Sequence, residues 1–143
     1  MFRTLMTSTA IVIALGGPAV AETFEVKMLN KGENGRMIFE PSALRIAAGD
    51  TVKFLATDLG HNAESVKGMM PEGAESFKGK INEEIEVTFP EAGFYGVQCK
   101  PHFAMGMVMA VAVGDEAIAP DSFLEGRLPK KAKERFEEAL SGL

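Results

Sequence analysis

One cysteine, one of only two histidines and a methionine fall within nine residues, in the run from Cys99 through Pro101 and His102 to Met107. The second histidine, His61, stands far upstream in a Gly60-His61-Asn62 turn. Any fold for this chain must therefore hold a tight loop bearing a thiolate, an imidazole and a thioether. If it also returns His61 to that loop, the site gathers two imidazoles, one thiolate and a weak axial thioether. Such a donor set selects copper and suits a one-electron Cu(I)/Cu(II) couple. Neither oxidation state then has to rearrange its ligands far.

The flanking sequence is that of strands. Phe24, Val26 and Met28 alternate with Glu25 and Lys27, and Val52 and Phe54 alternate with Thr51 and Lys53. Ile85, Val87 and Phe89 alternate with Glu84, Glu86 and Thr88. A period of two marks half-buried strands. Val108 to Val113 is a continuous apolar run closed by Gly114, as in a buried strand. Leu44 and Ile46 lead into an Ala48-Gly49-Asp50 turn, and Pro90 to Gly93 forms another. Residues 23–113 thus predict a sandwich or barrel of short strands. Phe94 to Gln98 is the strand entering the Cys99 loop, Pro101 stiffens that loop, and the strand from Val108 closes it. His61 then has to come from the end of a neighbouring strand.

After Gly114 the pattern changes. Pro120-Asp121-Ser122 predicts a short helix with Ser122 as its cap, and Pro129 predicts a second over residues 130–140. On the second, Ala132, Phe136, Ala139 and Leu140 share one face, which reads as packing on a sheet.

Residues 1–21 have the form of a secretory signal peptide: Arg3, an apolar stretch from Leu5 to Leu15, a Gly16-Gly17-Pro18 break and Ala19-Val20-Ala21. The stretch is too short to span a bilayer. Cleavage is expected between Ala21 and Glu22, leaving residues 22–143 as one domain with a sandwich to about 114 and a helical tail over 115–143. The 143 residues less 21 leave 122, and the 15 basic residues less Arg3 leave 14 against 20 acidic ones, a net charge of −6. That balance excludes a phosphate-binding face as the dominant feature. A chain of this length can bury roughly two-thirds of its unfolded surface without disulfides. A lone cysteine in an exported protein is a liability unless buried or bonded to metal. Beside His102 and Met107, metal ligation is the stronger reading.

Several motifs, in order, give the chain its resemblance. They are Phe39-x-Pro41-x-x-Leu44-x-Ile46-x-x-Gly49-Asp50-x-Val52-x-Phe54, Gly60-His61-Asn62, Gly93-Phe94-Tyr95, Cys99-x-Pro101-His102 and Gly106-Met107. Together they resemble the small blue copper proteins, or cupredoxins. The two helices after the last strand make the pseudoazurin branch the nearest.

The resemblance implies an all-β Greek-key sandwich with two short C-terminal α-helices. It implies one type 1 copper ion on His61, Cys99, His102 and Met107. Met105 and Met109 compete for the axial place, since alternation puts all three on one side, and the family's five-residue step from His102 favours Met107. Asn62 and Pro101 would support the ligands from outside the coordination sphere, Asn62 by tying the ligand loops together and donating toward the sulfur. Four protein ligands leave no open position for substrate, so the implied role is electron transfer rather than catalysis.

His102 would be the electron port, rimmed by Met37, Pro101 and Met105, although core filling is an equal reading of Met37. Lys31, Lys78, Lys80, Lys100 and Lys130 would form a docking ring for periplasmic redox proteins. The implied acceptor is a copper nitrite reductase and the implied donor a cytochrome c, meeting a monomeric carrier transiently. No nucleic acid and no membrane anchor is implied. Two positions depart from the family, which places lysines before Gly60 and before Cys99; this chain has Leu59 and Gln98. Competing readings are a copper-handling protein and a thiol or metal enzyme using Cys99 with His102.

Overall fold

The computed structural model describes residues 16–17 and 20–143. The predicted leader, 1–21, lies mostly outside them. The strands are β1 (Thr23–Gly32), β2 (Gly35–Glu40), β3 (Ala43–Ile46), β4 (Thr51–Leu55), β5 (Glu64–Ser65), β6 (Ile85–Thr88), β7 (Gly93–Gln98) and β8 (Val108–Val113). They form two four-stranded sheets, ordered β2-β1-β4-β6 and β3-β8-β7-β5. From β2 to β7 the chain changes sheet at every step. The parallel pairs β1–β4 and β3–β8 result from those crossings, and the other pairs are antiparallel. This is the predicted Greek-key sandwich.

The alternating segments sit as their pattern requires. Val26 and Met28 of β1 and Val52 and Phe54 of β4 are buried, while Glu25 and Lys27 face solvent. β8 is buried throughout because both of its faces are covered. Met109, Val111 and Val113 face the core between the sheets, whereas Val108, Ala110 and Ala112 pack under the C-terminal helix. Edge-to-face contacts link Phe39 to Phe54, Phe77 to Phe89 and Phe89 to Tyr95 across that core. Gly49, with φ +93°, makes the turn into β4, and the buried Asp50 carboxylate accepts from the Ala47 and Glu22 amides to fix it.

The tail holds one α-helix rather than two. α1 spans Lys130–Ser141, starts after Pro129 and buries Ala132, Phe136 and Ala139. The expected first helix is a single 3-10 turn, Asp121–Leu124, with Ser122 inside it and no side-chain cap. Four residues are too few to repay nucleation of an α-helix. Gly126, and Leu128 before a proline, disfavour its extension. The turn still places Phe123 edge-on between Phe94 and Phe136, each 6.0 Å away between ring centres.

Candidate metal centre

Three chain segments meet at one end of the sandwich. His61 lies in the loop between β4 and β5. Cys99 follows β7 directly, and a 3-10 turn over Lys100–Met105 carries His102. Pro101 stands in the first positions of that turn, where its missing amide hydrogen leaves no bond unmade. Gly106, at φ +86°, ends the turn and sends the chain back along β8.

The donor atoms converge. Nδ1 of His61 and Nδ1 of His102 are 3.1 Å apart, and Sγ of Cys99 is 3.7 Å from the first and 3.5 Å from the second. Donors sharing one first-row ion at about 2.0–2.3 Å have separations of this order. These three residues form a group able to hold a metal ion. His61 and Cys99 are fully buried, while His102 is half-buried.

The methionines separate by burial and register. Met107 is fully buried and its carbonyl accepts from the Cys99 amide at 3.0 Å, directly across from the sulfur-bearing residue. Met109, also fully buried, is paired with Val97 deeper in the sheet, and Met105 is 49 % exposed. Met37 is half-buried, packs against the main core and has φ +51°.

His61 is readied for a metal. It donates from Nε2 to Oδ1 of Asn30 at 2.7 Å, which leaves the Nδ1 lone pair facing the site. Burial, and next the neighbouring His102, hold its pKa below the usual imidazole value, with Asp58 opposing. The Cys99 thiol is pushed up, mainly by burial, against backbone amides of Asn62 and His102 that turn toward the sulfur; Glu64 pushes it further up. A buried thiol with a raised pKa is a poor nucleophile without a cation beside it.

Asn62 ties the loops together. Its Oδ1 accepts from the Lys100 amide at 2.7 Å, and its Nδ2 donates to Oε2 of Glu64 and to the Gly79 carbonyl, both at 3.0 Å. Only its backbone amide, not its side chain, faces the sulfur. Gln98 is buried and donates to Oε1 of Glu64 at 3.2 Å. It therefore points away from any docking surface, whereas Leu59 is 75 % exposed beside the His61 loop.

All five predicted lysines are exposed. Lys78 and Lys80 flank the Gly79 carbonyl bound by Asn62, Lys100 supplies the other amide, Lys31 adjoins Asn30, and Lys130 opens α1. Sequence reasoning missed Asn30 and Glu64, and it read Gln98 as a docking-face position rather than a buried partner of Glu64, because these roles depend on pairings between distant segments.

Two sheets enclosing a buried cysteine sulfur and two imidazoles at one end define a cupredoxin. Residues 26–114 match the family described as copper binding proteins, plastocyanin/azurin family. The chain belongs to that family and, within it, to the pseudoazurins, which are copper electron carriers rather than enzymes. It is 49 % identical over 139 residues to pseudoazurin of Paracoccus pantotrophus, covering 97 % of this chain and 96 % of that one. The crystal structure of pseudoazurin from Methylobacterium extorquens superposes with a TM-score of 0.79 at 40 % identity, covering 84 % of this chain and 98 % of that one. That of Hyphomicrobium denitrificans pseudoazurin gives 0.78 at 38 % identity, covering 85 % and 98 %.

Proposed function

We propose that this chain is a periplasmic carrier of single electrons whose copper ion is held by His61, Cys99, His102 and Met107. The convergence of two Nδ1 atoms and one Sγ within 3.7 Å carries the reading. Copper would supply a couple whose two states share one ligand geometry. The chain's own part is to hold that geometry. Asn30 fixes the His61 ring, Asn62 locks the two loops, and the sandwich keeps water from Cys99.

His102 is the port, since it alone among the three donors is partly open to solvent. Met37, Pro101 and Met105 surround the port and exclude water on docking. Lys31, Lys78, Lys80, Lys100 and Lys130 steer an acidic partner, with a copper nitrite reductase as acceptor and a cytochrome c as donor. Contact is brief and the carrier is monomeric. Export through the leader at residues 1–21 places it in the periplasm. No helix among the described residues is long and apolar enough to cross a membrane.

Stopped-flow oxidation of the reduced, copper-loaded protein by a copper nitrite reductase tests this reading. It predicts second-order electron transfer that slows as ionic strength rises. A colourless product with no reversible one-electron wave, or a rate indifferent to both partner and salt, contradicts it.

A further inference from the structure

We infer that Arg135 is a positioning residue for the metal site, setting where the Gly106–Met107 backbone and Met37 lie. The inference rests on the reading of Met107 as a ligand. Arg135 stands on α1, remote in sequence from the donors, yet its guanidinium reaches three backbone carbonyls. Nη1 donates to Met37 O at 3.0 Å and to Gly106 O at 3.3 Å, and Nη2 donates to Arg36 O at 3.0 Å. It has no carboxylate partner among the described residues, where the ion pair found is Lys131 with Glu134. The fork thus spans two segments, the start of β2 at Arg36 and Met37 and the Gly106 turn immediately before Met107.

Both segments are shaped to receive the helix. Gly106 has φ +86°, and a Cβ there would come within 2.8 Å of Lys131 Cγ, 3.0 Å of Lys131 O and 3.2 Å of Arg135 Cγ. Gly35, the first residue of β2, would bring a Cβ within 3.2 Å of Arg135 Nη2. Met37 is held at φ +51°, a conformation that a non-glycine residue adopts only when its surroundings fix it. The helix itself is anchored, because Ala132, Phe136 and Ala139 are buried against Val108, Ala110 and Ala112 of β8. A charge-assisted fork is roughly twice as strong as neutral hydrogen bonds, and its planarity fixes direction as well as distance. The last helix thereby acts as a splint across the loop that closes the site.

The test compares Arg135→Met, Arg135→Lys and the exposed-face control Glu137→Gln with the parent. In the metal-free proteins, exchange of the Cys99 and Met107 amides should speed about tenfold in Arg135→Met, with Val52 and Phe54 unaffected. In the copper-loaded proteins, Arg135→Met and Arg135→Lys should both alter the ratio of the sulfur-to-copper absorption bands and move the midpoint potential, while Glu137→Gln matches the parent. Lysine keeps the charge but cannot span three carbonyls. An Arg135→Lys protein with the parent's spectrum and potential overturns the inference, as does uniform acceleration of exchange throughout the sheets. Met107→Leu separates the two readings: a changed spectrum there shows that Met107 is a ligand, so an unchanged Arg135→Met counts against Arg135 alone.

Discussion

His61 donates from Nε2 to Asn30 Oδ1 at 2.7 Å, so the last residues of β1 decide which nitrogen of a ring distant in sequence faces the metal site. Partners of this kind orient a ligand and raise its basicity, and losing one weakens metal affinity by about 10–100-fold. Asn30→Ala should lie at the lower end of that range, because Asn30 is exposed and water can replace part of the contact. Competition for copper with a chelator of known affinity measures the loss. Parent-like affinity would mean that the ring is held by packing alone.

Asn62→Ala removes three hydrogen bonds at once and leaves the Gly79 carbonyl and one oxygen of the buried Glu64 without their donor. The expected loss of stability is about 2–3 kcal/mol. Urea unfolding of the metal-free variant should show it as a lower midpoint with an unchanged slope.

Gly106→Ala should destabilise the fold by about 2 kcal/mol or more, since alanine at φ +86° is strained and its Cβ meets the Lys131 carbonyl at 3.0 Å. Gly126→Ala, where a Cβ meets nothing within 4 Å, is the matched control and should be nearly neutral. Equal unfolding temperatures for the two variants would contradict this.

The metal-free protein should lose stability as pH falls through the imidazole range. Burial and the neighbouring His102 lower the His61 pKa in the fold, with Asp58 opposing. Below the ordinary value of 6.5 the unfolded chain therefore takes up a proton that folded His61 resists. The stabilising contribution is complete above that value and disappears as pH drops through the depressed folded-state pKa. Melting temperatures across this range should slope downward toward acid, less steeply in His61→Gln. Identical slopes would assign the effect elsewhere.

Leu59 is exposed beside the ligand loop, at a position where a steering lysine is expected. Leu59→Lys should raise the association rate with an acidic redox partner at low salt and steepen its dependence on ionic strength. Gln98→Lys should not, because position 98 is buried against Glu64.

The legible parts of the sequence were those governed by local pattern. Alternation at Val26 and Met28, or at Val52 and Phe54, reports a strand with one buried face, and the continuous run in β8 reports two. Ala132, Phe136 and Ala139 marked the packed face of α1 in the same way. β2 and β5 were not legible as strands. β2 carries a positive φ at Met37, and β5 is two residues long and exists through its pairing with Gln98 and Val97. The three clustered donors lay in one motif, but the hydrogen-bonded surroundings did not. Asn30 meets His61 from the end of β1, Glu64 is satisfied by Asn62 and Gln98, and Arg135 reaches back to Met37 and Gly106. Each is a consequence of topology, which residue spacing does not encode.

X-ray absorption at the copper edge of the metal-loaded protein tests the central claim most directly. One copper per chain should show two nitrogen neighbours and one short sulfur neighbour, with that sulfur lost in Cys99→Ser and one nitrogen lost in His61→Gly. A shell of oxygen and nitrogen alone, unchanged by either substitution, would contradict a centre built on Cys99 and His61.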